Sequence, residues 1–165
     1  MIFMNIISSD FEHGQEIPQK FGYNFENINP RLEISEIPPY TKSLALVMDD
    51  PDALEAVGKV WIHWLVCDII QNLEMEKNRS IIIESGNSNG KLNMKNSAIL
   101  GMTDFGKIGY GGPAPPDKRH VYYFKIFALD IVLNLKDGFS KNDLDMAMQN
   151  HIIEESILSG TFTPT

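Results

Sequence analysis

The chain has 165 residues, of which 43% are hydrophobic, and its formal net charge at pH 7 is −8. This length and apolar content predict one domain, residues 1–165, with a sizeable core of its own. Because nucleic acids and acidic membranes attract basic proteins, the acidic balance argues against broad binding to either, while a small phosphate site inside a cleft stays compatible with it.

Short apolar segments separated by turn residues predict four strands along the chain. They are Ser43–Met48, Val60–Ile70, Arg79–Glu84 and Val121–Leu129. The last of these has large residues on both faces, which predicts a central place in its sheet. A short helical segment is also predicted over Asp52–Val57.

The clearest helical pattern lies near the C-terminus. Ser140 is suited to cap a helix that has Asp143 at its third position, and residues from Leu144 to Ile152 keep a helical spacing. Gly160 stands where this helix would end. These elements predict a mainly β domain of the α+β class, with two packed sheets and a C-terminal helix.

The cysteine count and the length of the apolar runs predict the cellular compartment and the relation to membranes. Cys67 is the single cysteine and lies in an apolar run, which excludes an internal disulfide and predicts a buried thiol in a reducing cytoplasm. No apolar run approaches the ~20 residues that a bilayer span needs, so no integral membrane contact is expected. The N-terminus also lacks the pattern of a signal peptide.

Two glycine patterns match known catalytic or cofactor motifs, but neither has the setting that its chemistry requires. Gly86–Gly90 fits G-x-S-x-G, yet no helical pattern follows it, which favours a turn over a hydrolase nucleophile. Gly109–Ala114 fits G-x-G-x-x-A, but Pro113, Pro115 and Pro116 prevent the helix that would receive a pyrophosphate. The sequence therefore predicts no cofactor.

The segment Gly109–Phe124 carries the strongest functional signal. Its glycines bring backbone N–H groups close to a ligand, and its prolines fix the loop before anything binds. The N–H groups around Gly112 and Ala114, followed by His120, are suited to hold a small anion. Tyr122 should lie on the same strand face as His120 and add an O–H donor.

Asp50 and His63 supply suitable partners from two other segments. A carboxylate beside a histidine favours the imidazolium, and protonated His63 and His120 would then bind a phosphate. By the two-residue alternation of a strand, His63 should share a face with Trp61 and Leu65.

Other interpretations of the same residues stay open. Taken singly, His63 also fits a core residue and Asp50 a turn former. Together with His120 they also fit an enzyme, either as a facial metal triad or as an acid–base site.

Several motifs follow one another along nearly the whole chain. They are Ile17-Pro18, Asn27–Leu32, Thr41–Leu46, Asp50–Ala53, Trp61–Trp64, Thr103–Gly106, Tyr110–Pro116 and His120–Tyr122. In this order they resemble the phosphatidylethanolamine-binding protein family, which includes the Raf kinase inhibitor protein and plant flowering regulators. The resemblance is closer to the smaller bacterial and archaeal members.

The resemblance implies a large central sheet packed on a smaller one, with peripheral helices. It also implies a pocket for phosphate, acetate-like anions or phosphoethanolamine head groups. The pocket residues that it implies are Asp50, Asp52, Trp61, His63, Gly112, Ala114, Pro115, His120 and Tyr122.

Three features depart from the family pattern. Leu54 stands in place of a frequent proline, and Val121 in place of a frequent arginine, while Arg119 precedes the histidine. The C-terminal extension that eukaryotic members place near the pocket is not expected here, nor is Raf regulation. The leading hypothesis is a non-enzymatic anion-binding protein that regulates or inhibits a partner such as a kinase or a serine protease. Prokaryotic relatives also suggest a homodimer.

Overall fold

The computed structural model describes residues 1–69, 79–86 and 98–165, which form two antiparallel sheets flanked by short helices. The smaller sheet consists of β1 (Asn5–Ile7), β2 (Leu32–Ser35) and β5 (Ile81–Ile83), paired in the order β1-β2-β5. The larger sheet consists of β3 (Ser43–Asp50), β4 (Trp61–Ile69), β6 (Ile99–Leu100), β7 (His120–Leu129) and β8 (Ile152–Phe162). Its spatial order is β6-β4-β3-β7-β8. Helix α1 (Ala53–Val57) follows β3, and α2 (Lys141–Met148) precedes β8. The mainly β class with peripheral helices is confirmed.

Apolar side chains cover both faces of the larger sheet. Every residue of β3 is buried, as expected of a strand that is covered on both sides. One face packs on the smaller sheet through a cluster that includes Leu46, Trp64 and Phe124. The opposite face packs on α2 and residues 133–139, with Leu65 and Leu144 among the contacts. The predicted strand near residue 121 is β7, and it lies inside the sheet between β3 and β8.

The predicted C-terminal helix is correct at its start and wrong at its end. Ser140 and Asp143 form the reciprocal capping box of α2, but the helix ends at Met148. Gln149 has a ψ of 127°, outside the helical range, and Asn150 has a φ of 68°, so the chain turns out of the helix there.

Residues 152–162 form the long strand β8 instead of a continued helix. The strand is antiparallel to β7 along the whole length of β7. Tertiary pairing therefore outweighs the helical spacing of its side chains. Gly160 does not end a helix; a Cβ there would lie 2.6 Å from Ile17 and 2.8 Å from Phe11, so this glycine permits close packing.

Cys67 is buried in β4, as predicted. Burial raises the pKa of its thiol to about 12, so the group stays protonated at neutral pH. Among the described residues, no helix combines the length and the apolar content needed to cross a bilayer. Residues 87–90 of the G-x-S-x-G pattern, and Ile70 at the end of a predicted strand, lie outside the described residues.

Candidate functional site

A β-bulge in β4 directs His63 toward residues 109–116, called here the glycine–proline loop. In the pairing with β3, Met48 lies opposite Trp64 and Asp49 opposite Ile62, so His63 has no partner residue in β3. Such bulges re-aim side chains and are frequent beside functional sites. The predicted shared face of His63 with Leu65 is wrong because the bulge interrupts the alternation. Leu65 instead packs in the cluster below α2.

The His63 imidazole is buried and neutral. Its Nδ1–H donates to the carbonyl oxygen of Gly111 at 2.6 Å, and Gly111 N–H donates back to the His63 carbonyl at 2.8 Å. Burial lowers the pKa of His63 to about 4. With Nδ1 protonated, Nε2 carries a lone pair and acts as an acceptor. The predicted resting imidazolium at His63 is therefore wrong.

This pKa makes stability depend on pH in a defined window. The folded value of about 4 lies below the ordinary 6.5, so the unfolded chain binds more protons between them and stability is lost as pH falls through that range. His63→Asn retains an N–H donor but does not titrate. Relative to wild type, we expect the variant to gain about 3 kcal/mol in free energy of unfolding between pH 6.5 and 4.

Urea unfolding at several pH values measures this difference. The same change at the partly exposed His151 is the control for replacing a histidine by asparagine in general. A pH-independent difference between His63→Asn and wild type would contradict a buried neutral imidazole.

His120 lies between two carboxylates. Its Nδ1 contacts Asp50 Oδ2 at 2.7 Å, its Nε2 contacts Asp117 Oδ1 at 2.7 Å, and its side chain is fully buried. Burial opposes the charged form, but the hydrogen bonds to both carboxylates outweigh it and raise the pKa of His120. Both ring nitrogens then donate, which means that His120 is an imidazolium. It bonds to carboxylates of the chain itself, where the sequence predicted a direct bond to an anion.

Asp50 is positioned from two sides. Ala53 N–H, at the start of α1, donates to its Oδ1 at 3.2 Å, while His120 holds Oδ2. Burial raises the pKa of Asp50 and His120 opposes that rise. Asp52 has a bracing role instead, because its Oδ2 accepts from Val121 N–H at 2.8 Å and so ties the turn after β3 to β7.

The glycine–proline loop is fastened to residues 21–27. Gly112 N–H donates to Asn27 Oδ1 at 2.7 Å, and Tyr23 N–H donates to the Pro113 carbonyl at 2.9 Å. A Cβ at Gly112 would lie 1.9 Å from the Phe21 carbonyl oxygen. The predicted role of the Gly112 N–H as a ligand donor is therefore wrong; glycine is required there because two backbone segments touch.

A cavity of about 200 Å³ opens beside these groups. It is lined by Asp50, Ala53, Val57, Trp61, His63, Phe105, Ala114 and Pro116. Four of the nine predicted pocket residues are among them: Asp50, Trp61, His63 and Ala114. The other five, which support or adjoin the wall, are Asp52, Gly112, Pro115, His120 and Tyr122. Pro116 takes the lining position that the resemblance gave to Pro115.

Phe105 is the largest of the four lining residues that the sequence did not predict, the others being Ala53, Val57 and Pro116. Its ring stacks on Tyr23 with centroids 4.0 Å apart, and it meets the edges of Trp61 at 5.5 Å and His63 at 5.3 Å. Asp104, the preceding residue, accepts from Ile62 N–H at 2.7 Å and anchors this loop to β4. The motif Thr103–Gly106 was the available signal, since it placed an aromatic residue in a turn.

Three aromatic donors are buried without a hydrogen-bond partner among the described residues. They are the indole Nε1 atoms of Trp61 and Trp64 and the hydroxyl of Tyr122. Of these three residues, Trp61 lines the cavity. The Tyr122 ring lies edge-on to His63, with centroids 5.2 Å apart. Burial, and then the charge and the nearby carboxylate oxygens of Asp50, raise the pKa of Tyr122, so the hydroxyl keeps its proton. An unpaired buried donor is costly, and an acceptor beside Trp61 Nε1 would remove that cost.

A larger groove lies between α2 and residues 135–139, with a volume of about 590 Å³. Its ionisable lining residues, Lys136, Asp137 and Asp143, are all exposed. It therefore lacks the buried polar groups found at the smaller cavity. Within the described part of the chain, no three His, Cys, Asp or Glu side chains are arranged to hold a metal ion. Both nitrogens of His120 face carboxylates, which opposes its predicted alternative use as a metal ligand.

Similar proteins show the family of this chain. The sequence model of the phosphatidylethanolamine-binding protein family matches residues 7–163. The chain belongs to the phosphatidylethanolamine-binding protein family. Among its relatives in this family, a UPF0098 protein of Methanothermobacter thermautotrophicus is 36% identical over 160 residues, covering 96% of this chain and 98% of the relative. A UPF0098 protein of Chlamydia muridarum is 38% identical over 161 residues, covering 96% and 98%.

Solved structures of the phosphatidylethanolamine-binding protein family have the same fold. A homologue from Chlamydia trachomatis superposes with a TM-score of 0.81 at 34% identity, covering 96% of each chain. Escherichia coli YbcL, described as a new member of the mammalian family, superposes with a TM-score of 0.85 at 25% identity. That match covers 99% of this chain and all of YbcL.

Proposed function

We propose that this chain binds a small anion or a phosphoryl group in the cavity beside His63, and that it regulates a partner protein and does not catalyse a reaction. The observation that carries the proposal is Trp61 Nε1, a buried donor without a partner on a residue that lines the cavity. An oxyanion offers several acceptors at once and would satisfy such a donor.

The charges near the cavity set a condition on this binding. Asp50 lines the cavity as an acceptor, and neutral His63 presents a lone pair at Nε2. An anion therefore binds well only with a proton, taken up by His63 or carried on the ligand itself. A bound negative charge favours the imidazolium and raises the pKa of His63 from about 4.

Phosphate and phosphoethanolamine are accordingly expected to bind more weakly as pH rises from about 5 to 8, where histidine charge changes. One proton taken up for each ligand bound gives at most a tenfold loss of affinity per pH unit, by linkage. NMR titration of the imidazole signals, with calorimetry in two buffers of different ionisation enthalpy, measures the affinity and the proton uptake.

His63→Asn is the matched variant for this test. It keeps the donor to the Gly111 carbonyl and removes the titrating group, so its affinity should be lower at acidic pH and less dependent on pH. His120→Ala should bind poorly because it removes the buried positive charge. Binding by wild type that is unaffected by pH and by both substitutions would refute the proposal.

The regulatory role is a separate part of the proposal. Family members include a kinase inhibitor, and the pocket is the feature on which a phosphorylated partner would depend. A kinase or a serine protease inhibited by wild type should escape inhibition by His120→Ala if the pocket is responsible. Full inhibition by that variant would place the contact elsewhere on the surface. Cytoplasmic location and homodimer formation are further expectations, to be measured by fractionation and by light scattering.

A further inference from the structure

Asp117 is a partly exposed carboxylate that forms a hydrogen bond with the buried imidazolium of His120. Its side chain is 42% exposed, yet its Oδ1 lies 2.7 Å from Nε2 of the fully buried His120. Asp50 already partners the other ring nitrogen from a buried position braced by Ala53. The imidazolium therefore has one internal carboxylate partner and one partner at the surface.

Asp117 is next in the chain to a residue of the cavity wall. Pro116, the residue before it, lines the cavity, and so does Asp50 at the other end of the Asp50–His120–Asp117 row. A carboxylate oxygen on an imidazolium N–H is the same interaction that a phosphate or acetate oxygen would make. Asp117 thus occupies the donor that an incoming oxyanion would use.

We propose that Asp117 is an internal competitor for the anion site, and that its displacement from His120 sets the affinity of ligand binding. This inference rests on the proposed anion-binding function. A ligand must replace a carboxylate that is tethered three residues away and is therefore present at high effective concentration. The cost of this displacement is the same for every anion that binds His120, so Asp117 lowers the affinity for all of them by one factor.

The test compares Asp117→Ala with wild type, using inorganic phosphate and acetate as probes at a pH of about 6.5, the ordinary histidine pKa. The variant lacks the carboxylate that competes for His120 through a charge-assisted hydrogen bond. Its dissociation constant for phosphate should therefore be lower than that of wild type by about tenfold or more. Acetate affinity should rise by a similar factor, because both anions must displace the same carboxylate in wild type. Asp117→Asn, which keeps the size and a neutral acceptor, should give a smaller gain for both probes.

Glu55→Ala is the matched control. It removes another exposed carboxylate of the same region, but Glu55 contacts Lys118 and not His120. Screening limits its long-range effect, so its affinities should stay within about threefold of wild type. The ¹⁵N shift of His120 Nε2 is the second readout: it should change in ligand-free Asp117→Ala and return toward the wild-type value when phosphate is added. A purely structural role for Asp117 gives no such return.

The outcomes separate the two proposals. If wild type binds phosphate and Asp117→Ala binds it equally or more weakly, the proposed competition by Asp117 is wrong and the anion-binding function is still supported. If Asp117→Ala binds phosphate and wild type does not, the competition by Asp117 is supported directly. Absence of binding in both folded proteins, checked by thermal unfolding, overturns both proposals.

Discussion

Asp50→Ala is expected to lower the free energy of unfolding by about 3 kcal/mol. Asp50 is 3% exposed and contacts His120, which is completely buried, so the substitution removes one partner of a buried ion pair. The remaining partner then keeps a desolvated charge or loses its proton. The expected value is at the lower end of the range for broken buried pairs because Asp117 still contacts Nε2. Urea unfolding at neutral pH measures the loss.

Two comparisons distinguish the effect of breaking this ion pair from the effect of removing any carboxylate. Asp52→Ala removes a carboxylate from the same turn, where it accepts one backbone N–H, and should cost about 1 kcal/mol. A double-mutant cycle with His120→Phe should give a favourable coupling energy between Asp50 and His120. Independent effects of the two substitutions would show that the pair does not hold the site together.

The sequence predicted which residue types form the site better than it predicted how they are arranged in space. Asp50, His63 and His120 could be selected because a carboxylate and two histidines stood beside predicted strands. The proximity of Asp50 and His120 follows from pairing of β3 with β7, where Asp49 lies opposite Tyr123. Strand pairing is a long-range property, and local patterns identify the strands without giving their order.

The roles of the same residues depended on features that no local pattern predicts. The bulge at His63 turns it away from the face of Leu65, and its burial makes it neutral. The partner of the Gly112 N–H is Asn27, which is 85 residues away in the chain. The helical spacing after Met148 was overridden because β7 offers residues 152–162 a full set of backbone partners. In each case a distant segment decided between two locally acceptable conformations.

Gly112→Ala is expected to destabilise the chain by about 3 kcal/mol or more, although it adds a single methyl group. Its Cβ would lie 1.9 Å from the Phe21 carbonyl oxygen and 2.9 Å from the Gly22 carbonyl carbon, so backbone must move. That movement would break the bond from Gly112 N–H to Asn27 and shift Ala114 in the cavity wall. Thermal and urea unfolding measure the loss of stability, and titration with phosphate measures the loss of binding.

Gly106→Ala is the control that distinguishes contact from conformation. Gly106 has a φ of +73° and open space around its Cβ position, so alanine there meets a strained backbone but no clash. Its cost should be limited to about 1–2 kcal/mol, the cost of a left-handed residue. If Gly112→Ala were no more destabilising than Gly106→Ala, the loop would not be pressed against residues 21–22. The cavity wall would then owe its shape to the prolines and not to this contact. A greater loss at Gly112 means that the first residues of the glycine–proline loop are fixed by the segment before β2, which places Ala114 against the cavity before any ligand arrives.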